Sequence, residues 1–212
     1  MQTSDVASVL PESLRERLSK RAAVRSYARN AVIVTEADEN ASLYVLLAGR
    51  ARVFVADENG REMHLGDLGP GEYFGEVTLD GGPRSASVTA IEPCRCAILR
   101  RADFAQFIQE DPQLAMHVIG KLARLVRLLT ENVRGLALMD VYGRVARVLL
   151  DLADEVDGRQ VIRGRITQKD IAARVGASRE MVSRICTELA KAGYIRKEKD
   201  GLVLLRKLPA KW

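Results

Sequence analysis

What this 212-residue sequence has little of narrows its function before any motif is read. No apolar run is long enough to cross a bilayer: the longest near the start, Tyr44 to Ala48, is the size of one strand, and a membrane helix needs about 20 such residues. The first thirty residues are studded with charge, so no secretory leader is expected and the chain is assigned to the cytoplasm, with no membrane partner. Three cysteines, Cys94, Cys96 and Cys186, are odd in number and lack zinc spacing, which argues against a disulfide framework or a metal centre. Cys94 and Cys96, two apart on a strand, share a face and read as small buried residues, with redox sensing as the alternative. Histidine occurs twice, at His64 and His117, and neither belongs to a nucleophile–base pair or a carboxylate constellation, so no enzyme is expected.

What is present falls into two parts. A chain of this length exceeds the usual single domain, and 47% hydrophobic content is enough for two cores. Residues 138–212 hold 16 Lys and Arg against 10 Asp and Glu, while residues 1–137 hold 17 against 18, so the net charge of +5 comes from the C-terminal part. A basic excess of that kind suits a domain that faces phosphates.

Within that basic part, Ile171, Ala172 and Val175 form one apolar face, and Val182, Ile185 and Leu189 form another at helical spacing. Val175-Gly176-Ala177 breaks the two, and Gly176 tolerates the positive φ such a turn needs. Thr167 and Asp170 make a capping-box start to the first helix, and Ser178 caps the second. This is the layout of a helix-turn-helix. With Ser178 as cap, Arg179, Glu180, Ser183 and Arg184 share the face opposite the apolar stripe, where arginine can pair with guanine and a carboxylate with cytosine in the major groove. Thr167 and Lys169 sit at the start of the first helix, and Lys169 would face a phosphate. The bland alternative is a solvated face with i,i+4 pairing. Two apolar stretches, Gly193-Tyr194-Ile195 and Leu202 to Leu205, flank Asp200-Gly201, a favoured hairpin turn pair, and add a wing.

The N-terminal part reads as short strands and glycine turns. Leu43 to Leu47, Ala51 to Val55, Glu62 to Leu65 and a region from Ser85 to Leu99 suggest a sandwich or jelly roll. Gly71-Glu72-Tyr73-Phe74-Gly75-Glu76, followed by Pro83-Arg84-Ser85-Ala86-Ser87, could hold a small anion. There Gly75 lets backbone approach closely, Arg84 adds a planar cation, Ser85 a hydroxyl and Glu76 an acceptor for sugar hydroxyls. Ordinary turn chemistry with a structural ion pair is the other reading of the same loop. Between the two parts, Val118, Leu122, Leu125, Leu129, Val133 (or Asn132) and Leu136 step by four and three as a heptad-like seam. Their expected partner is the same helix of a second copy, while Ala115, Ile119 and Val126 form a second face expected to pack on the β domain. Asp140 is expected to cap the helix that follows a hinge at Met139-Asp140-Val141.

Taken together, FGE…PRSAS, the hairpin GRARVFVADENGREMHLGDLGPGEYFGE and TQKDIAARVGASREMVSR resemble the CRP/FNR family of transcription regulators, and its cyclic-AMP receptor branch in particular. The likeness covers nearly the whole chain, with both motifs in the family's order. It implies an α+β protein: a cyclic-nucleotide-binding β jelly roll over residues 1–110, a dimerisation helix over 111–138 and a winged helix-turn-helix over 139–212. By the same resemblance Gly75 and Glu76 meet the ribose and phosphate edge, Arg84 and Ser85 the cyclic phosphate, and Thr130 the base. Where the cyclic-AMP receptor carries a Thr-Ser pair this chain has Leu129-Thr130, so one hydroxyl is missing. Cyclic AMP is the leading effector, with cyclic GMP or cyclic di-GMP behind it, and no resident cofactor is implied. Implied partners are a second copy, double-stranded DNA bearing two TGTGA-like halves, and RNA polymerase. The alternative is a nucleotide-binding module that regulates a partner protein. The family's iron–sulfur branch needs N-terminal cysteines, and none precedes residue 94; its haem branch needs an axial ligand that His64 and His117 do not suit.

Overall fold

The computed structural model describes residues 9–156, 158–164, 166–198 and 201–208. Two compact units divide the chain, one holding most of the N-terminal strands and ending at Leu128, the other running on from Leu129.

In the first unit a short helix, α1 (Glu12–Ser19), precedes eight strands: β1 (Ala23–Tyr27), β2 (Val32–Val34), β3 (Ser42–Ala48), β4 (Ala51–Ala56), β5 (Glu62–Leu68), β6 (Tyr73–Phe74), β7 (Ser87–Ala90) and β8 (Cys94–Arg100). They form two four-stranded sheets, ordered β1-β8-β3-β6 and β2-β7-β4-β5, which is the jelly roll the sequence suggested. The β3 strand explains how a continuous apolar run becomes a strand rather than a helix. Successive side chains point to opposite faces, and both faces are covered: Tyr44 and Leu46 enter the cluster between the sheets, Leu43 and Val45 the cluster on the other side. Cys94 and Cys96 join the inter-sheet cluster as free thiols. Burial pushes the Cys96 thiol up to about 12, which suits a packing role rather than a reactive one.

Two further helices follow, α2 (Arg101–Glu110) and the long α3 (Pro112–Leu138). The second apolar cluster collects Leu10, Leu14 and Leu18 of the N-terminal segment, Phe104 and Phe107 of α2, and Leu114 and Val118 of α3 around Leu43, Val45, Tyr73, Ala97 and Leu99. Burying a leucine or phenylalanine side chain contributes about 1.5–3 kcal/mol, so this contact fixes the first half of α3 to its sheet. It also reverses part of the expected division of faces. Val118 is buried against the β roll and Leu122 packs beside it, whereas Ile119 and Val126, expected to face the roll, are exposed. Both stripes are apolar, so period alone could not tell them apart; the position of Leu114 against Phe104 and Phe107 decides. The exposed apolar residues of α3 are Met116, Ile119, Ala123, Val126, Leu129, Val133, Leu136, Ala137 and Leu138, so Leu129, Val133 and Leu136 of the expected seam are exposed, and Met116, Ile119, Ala123, Val126, Thr130, Val133 and Ala137 follow a four-three spacing.

In the second unit α4 (Val141–Leu152) leads to a hairpin of β9 (Asp154–Val156) and β10 (Arg159–Arg163), then α5 (Gln168–Val175), α6 (Arg179–Lys191), β11 (Ile195–Glu198) and β12 (Gly201–Leu204). The sheet order is β11-β12-β10-β9, so the expected wing hairpin is joined by a second hairpin that the sequence did not announce. Asp200 of the expected Asp200-Gly201 turn lies outside the described residues. Val145 and Leu149 of α4, Ile171 and Val175 of α5, and Val182, Ile185 and Leu189 of α6 share one core with Ile195 and Leu204. Asp140 caps α4, its Oδ1 accepting from Gly143 N at 2.7 Å. On the first turn of α4 Arg144 donates to two carbonyls, Met139 O at 2.8 Å, just beyond the end of α3, and Val175 O at 2.9 Å, the last residue of α5.

Candidate functional site

The glycine-rich segment of the first unit builds a small polar site whose groups are incompletely satisfied. β6 ends at Phe74, Gly75 turns the chain with φ 92°, and a short 3-10 helix runs from Glu76 to Asp80. A side chain at Gly75 would collide with Arg84 Nη1 and approach Ser42 O to 2.6 Å, so the close approach, and not only the positive φ, demands glycine. The loop carrying Arg84 is pinned by two backbone bonds of 2.9 Å, Arg84 N to Asp38 O and Ala37 N to Arg84 O. Arg84 is 4% exposed. Its Nη2 donates to Ser42 O at 2.6 Å, and its guanidinium carbon lies 5.5 Å from the Tyr44 ring centroid. The other two nitrogens, Nε and Nη1, are buried with no hydrogen-bond partner. Burial lowers the Arg84 pKa from the ordinary arginine value, but Tyr44, Asp38 and Glu76 oppose the shift, and arginine stays charged.

Glu76, 5% exposed, faces the same site. Its Oε1 pairs with Lys121 Nζ of α3 at 3.0 Å, and its Oε2 is buried without a partner. Lys121 also donates to Tyr73 O and sits 4.0 Å from the Tyr73 ring centroid. Its burial, at 6% exposure, pushes the ammonium pKa down, and the Glu76 carboxylate pulls it back up. Unpaired buried donors on a cation beside an unpaired buried acceptor can receive an anion that also carries hydroxyl groups, since each orphan costs about 1–3 kcal/mol until it finds a partner.

Of the residues singled out from the sequence, Gly75, Glu76 and Arg84 come together. Ser85 follows Arg84 and is exposed. Thr130 is an exposed residue of α3 that belongs to the second unit. Sequence reasoning missed Lys121, Tyr44 and the Ser42 carbonyl. A lysine among Leu114, Val118 and Leu122 on an apolar helix face was a signal for the first; nothing local marks the other two.

The second unit places the other candidates on the helix-turn-helix. Thr167 starts α5 with a full capping box: its Oγ1 accepts from Asp170 N at 3.1 Å, and Asp170 Oδ2 accepts from Thr167 N at 2.9 Å. Gly176 takes the left-handed conformation at φ 61° and turns the chain toward α6, where Ser178 Oγ accepts from Met181 N at 3.2 Å. Two hydroxyls thus serve the backbone of the motif itself. On α6, Val182, Ile185 and Leu189 are buried, while Arg179, Glu180 and Arg184 are exposed and Ser183 is half-buried. Among the described residues the three charged groups make no hydrogen bond or ion pair to the protein, so their donors and acceptors remain available to a base edge. Lys169, near the start of α5, is exposed.

No helix among the described residues is long and apolar enough to cross a membrane, and no cluster of metal-ligating side chains occurs among them.

Comparison with known proteins finds the cyclic nucleotide-binding domain over residues 24–111 and the Crp-like helix-turn-helix domain over residues 143–210. The cAMP-activated global transcriptional regulator CRP of Pasteurella multocida is 37% identical over 170 residues, covering 76% of this chain and 80% of that protein. The regulator Vfr of Pseudomonas aeruginosa, likewise described as cAMP-activated, is 34% identical over 191 residues, with 85% and 88% covered. Among solved structures, the c-di-GMP responsive regulator CLP of Xanthomonas campestris superposes with a TM-score of 0.82 over 92% of this chain and all of that one. Its sequence identity is 24%, a likeness of fold.

Proposed function

Since this chain belongs to the CRP/FNR family of transcription regulators, we propose that its effector is cyclic AMP and that it binds, as a homodimer, a two-fold DNA site with TGTGA-like halves. The observation that carries the effector assignment is the pair of orphaned groups: Arg84 Nε and Nη1 for the cyclic phosphate, Glu76 Oε2 for a ribose hydroxyl. Gly75 gives the phosphate access to backbone, and Ser85 adds a hydroxyl from the exposed rim. The purine is assigned to Thr130. Cyclic AMP also agrees with the stated activator of the two relatives described above, 37% and 34% identical to this chain.

The dimer is supported by the exposed apolar series of α3. Ile119 is 56% exposed and Val133 65%, and the spacing from Met116 to Ala137 is that of a two-stranded coiled coil. In that pairing Thr130 occupies a seam position. A two-fold pair of α6 helices then meets two half-sites about one helical turn apart, with Arg179, Glu180 and Arg184 reading bases, Ser183 beside them, and Thr167, Lys169 and Ser178 near phosphates. Such a regulator works in the cytoplasm beside its DNA, and RNA polymerase is its partner at promoters.

Nucleotide can gate DNA binding only by favouring one packing of the α3 pair over another. Fluorescence anisotropy of a TGTGA-containing duplex, titrated with and without saturating cyclic AMP, tests this reading. Nucleotide should tighten specific binding by at least about fivefold, the lower end of coupling between sites. Unchanged DNA affinity with a calorimetrically saturated pocket would remove the gating, and a response to cyclic GMP or cyclic di-GMP alone would replace the effector.

A further inference from the structure

Glu76 has two oxygens in different circumstances. Oε1 is held by Lys121 at 3.0 Å, and Oε2 is buried with nothing to bind. The lysine is as constrained as the carboxylate. Its ammonium has three donors; one meets Glu76, a second the Tyr73 carbonyl, and the remaining side lies over the Tyr73 ring. None is left to touch a ligand, so Lys121 acts on whatever occupies the site through Glu76.

Packing gives no reason for a lysine there. Its neighbours on that face of α3 are Leu114, Val118 and Leu122, all directed to the apolar cluster, and a buried ammonium costs several kcal/mol to desolvate. An apolar residue would fill the position more readily. A buried carboxylate alone would be as costly, and its side chain would be free to rotate so that either oxygen, or neither, met the ligand. The ion pair removes both problems together. It keeps the carboxylate charged in a dry site and fixes which oxygen is presented.

Building on the cyclic-nucleotide reading above, we propose that Lys121 is the positioning residue for sugar recognition: it pins Oε1 of Glu76 so that Oε2 is aimed at the ribose 2′-hydroxyl. Discrimination between ribose and 2′-deoxyribose ligands therefore depends on a side chain of the long helix that never meets the ligand.

Calorimetric titration of the full-length protein with cyclic AMP and with 2′-deoxy cyclic AMP tests this in four proteins: wild type, Lys121→Met, Lys121→Gln and Lys121→Arg. Wild type should prefer the ribose ligand by about tenfold or more, as expected for a hydrogen bond to a charged acceptor. In Lys121→Met and Lys121→Gln the preference should fall to about threefold or less, with affinity for the deoxy ligand little changed, and Lys121→Arg should restore most of it. A purely structural lysine would weaken both ligands alike and leave their ratio intact. Should Lys121→Met fail to fold, Lys121→Gln, which retains a donor for the Tyr73 carbonyl, decides. An unchanged ratio in Lys121→Gln overturns the proposal, as does a wild type that binds both ligands equally while still binding cyclic AMP. A wild type that binds no cyclic nucleotide overturns the effector assignment itself, and this role with it.

Discussion

Replacing Arg84 with leucine separates a ligand-binding arginine from a structural one, because the structure gives it opposite consequences in the free and bound protein. Without ligand, the variant loses one good bond, Nη2 to Ser42 O at 2.6 Å. It also sheds a buried charge with two unpaired N–H groups. The two orphans together cost about 2–6 kcal/mol, which at least offsets the lost bond of about 1.5–3 kcal/mol, so the free protein should lose no more than about 1 kcal/mol of stability. With cyclic AMP the terms no longer cancel. In the parent the orphans become charge-assisted bonds to phosphate, and losing them should cost about 1.5–3 kcal/mol, or about 10- to 150-fold in Kd. Calorimetry reads that directly, and thermal unfolding gives an independent check. Ligand at 100 times the parent Kd stabilises the parent by about 2.7 kcal/mol, whereas a variant weakened 100-fold gains only about 0.4 kcal/mol at the same concentration. Two results refute the reasoning. Equal nucleotide affinity in parent and variant would make Arg84 irrelevant to the ligand, and a loss of several kcal/mol without nucleotide would make it a structural anchor.

Arg179→Ala should cost about 1–3 kcal/mol per half-site on specific DNA and relax the choice at one guanine while sparing random DNA; equal losses on both, measured by anisotropy, would reject its base-reading role. Val133→Glu, which buries a charge in the proposed seam, should shift sedimentation equilibrium toward monomer at micromolar concentration and lower DNA affinity in parallel; an intact dimer would place the interface elsewhere. His117 Nε2 donates to Val9 O at 3.2 Å, which leaves Nδ1 of the neutral ring to accept from Tyr73 OH at 3.3 Å, and burial holds its imidazole below the ordinary histidine range. The folded protein therefore takes up this proton less readily than the unfolded chain, so its share of stability is complete above the unfolded value of ~6.5 and is lost as pH falls through the folded one. Urea unfolding between about pH 7 and 5 should show a shallower decline in His117→Gln than in wild type.

Local chemistry carried most of what the sequence revealed. Thr167, Asp170, Gly176 and Ser178 specify the helix-turn-helix because capping and left-handed turns depend on residues a few positions apart, and the structure keeps each in its expected role. Strands β3 and β4 were legible from their turns. The faces of the first half of α3 were not: both stripes are apolar there, and only contact with Phe104 and Phe107, from a helix that had not been singled out, selects Val118 over Ile119. The same limit applies to the ligand site. Gly75, Glu76 and Arg84 lie within one segment and could be read as a unit, whereas Lys121 arrives from 45 positions beyond Glu76 in the chain and reaches it through the packing of a helix on a sheet. The β9–β10 hairpin escaped because Asp154 to Arg163 is polar and short and carries no alternation strong enough to mark a strand.

Arg144 gives the joint between α3 and α4 a mechanical character. A capped break at Met139-Asp140 would, on its own, act as a swivel: twist of the last turn of α3 would be absorbed by a few free dihedrals and lost. Here one guanidinium grips the Met139 carbonyl and the Val175 carbonyl together, and Asp140 ties off the first turn of α4 from the other side. Torque entering at Met139 therefore has a stiff path to the end of α5, one residue before the Gly176 turn that sets the angle of α6. The joint behaves as a gear tooth. Its slack is the give in two hydrogen bonds below 3 Å, which tie the residue after α3 to the last residue of α5.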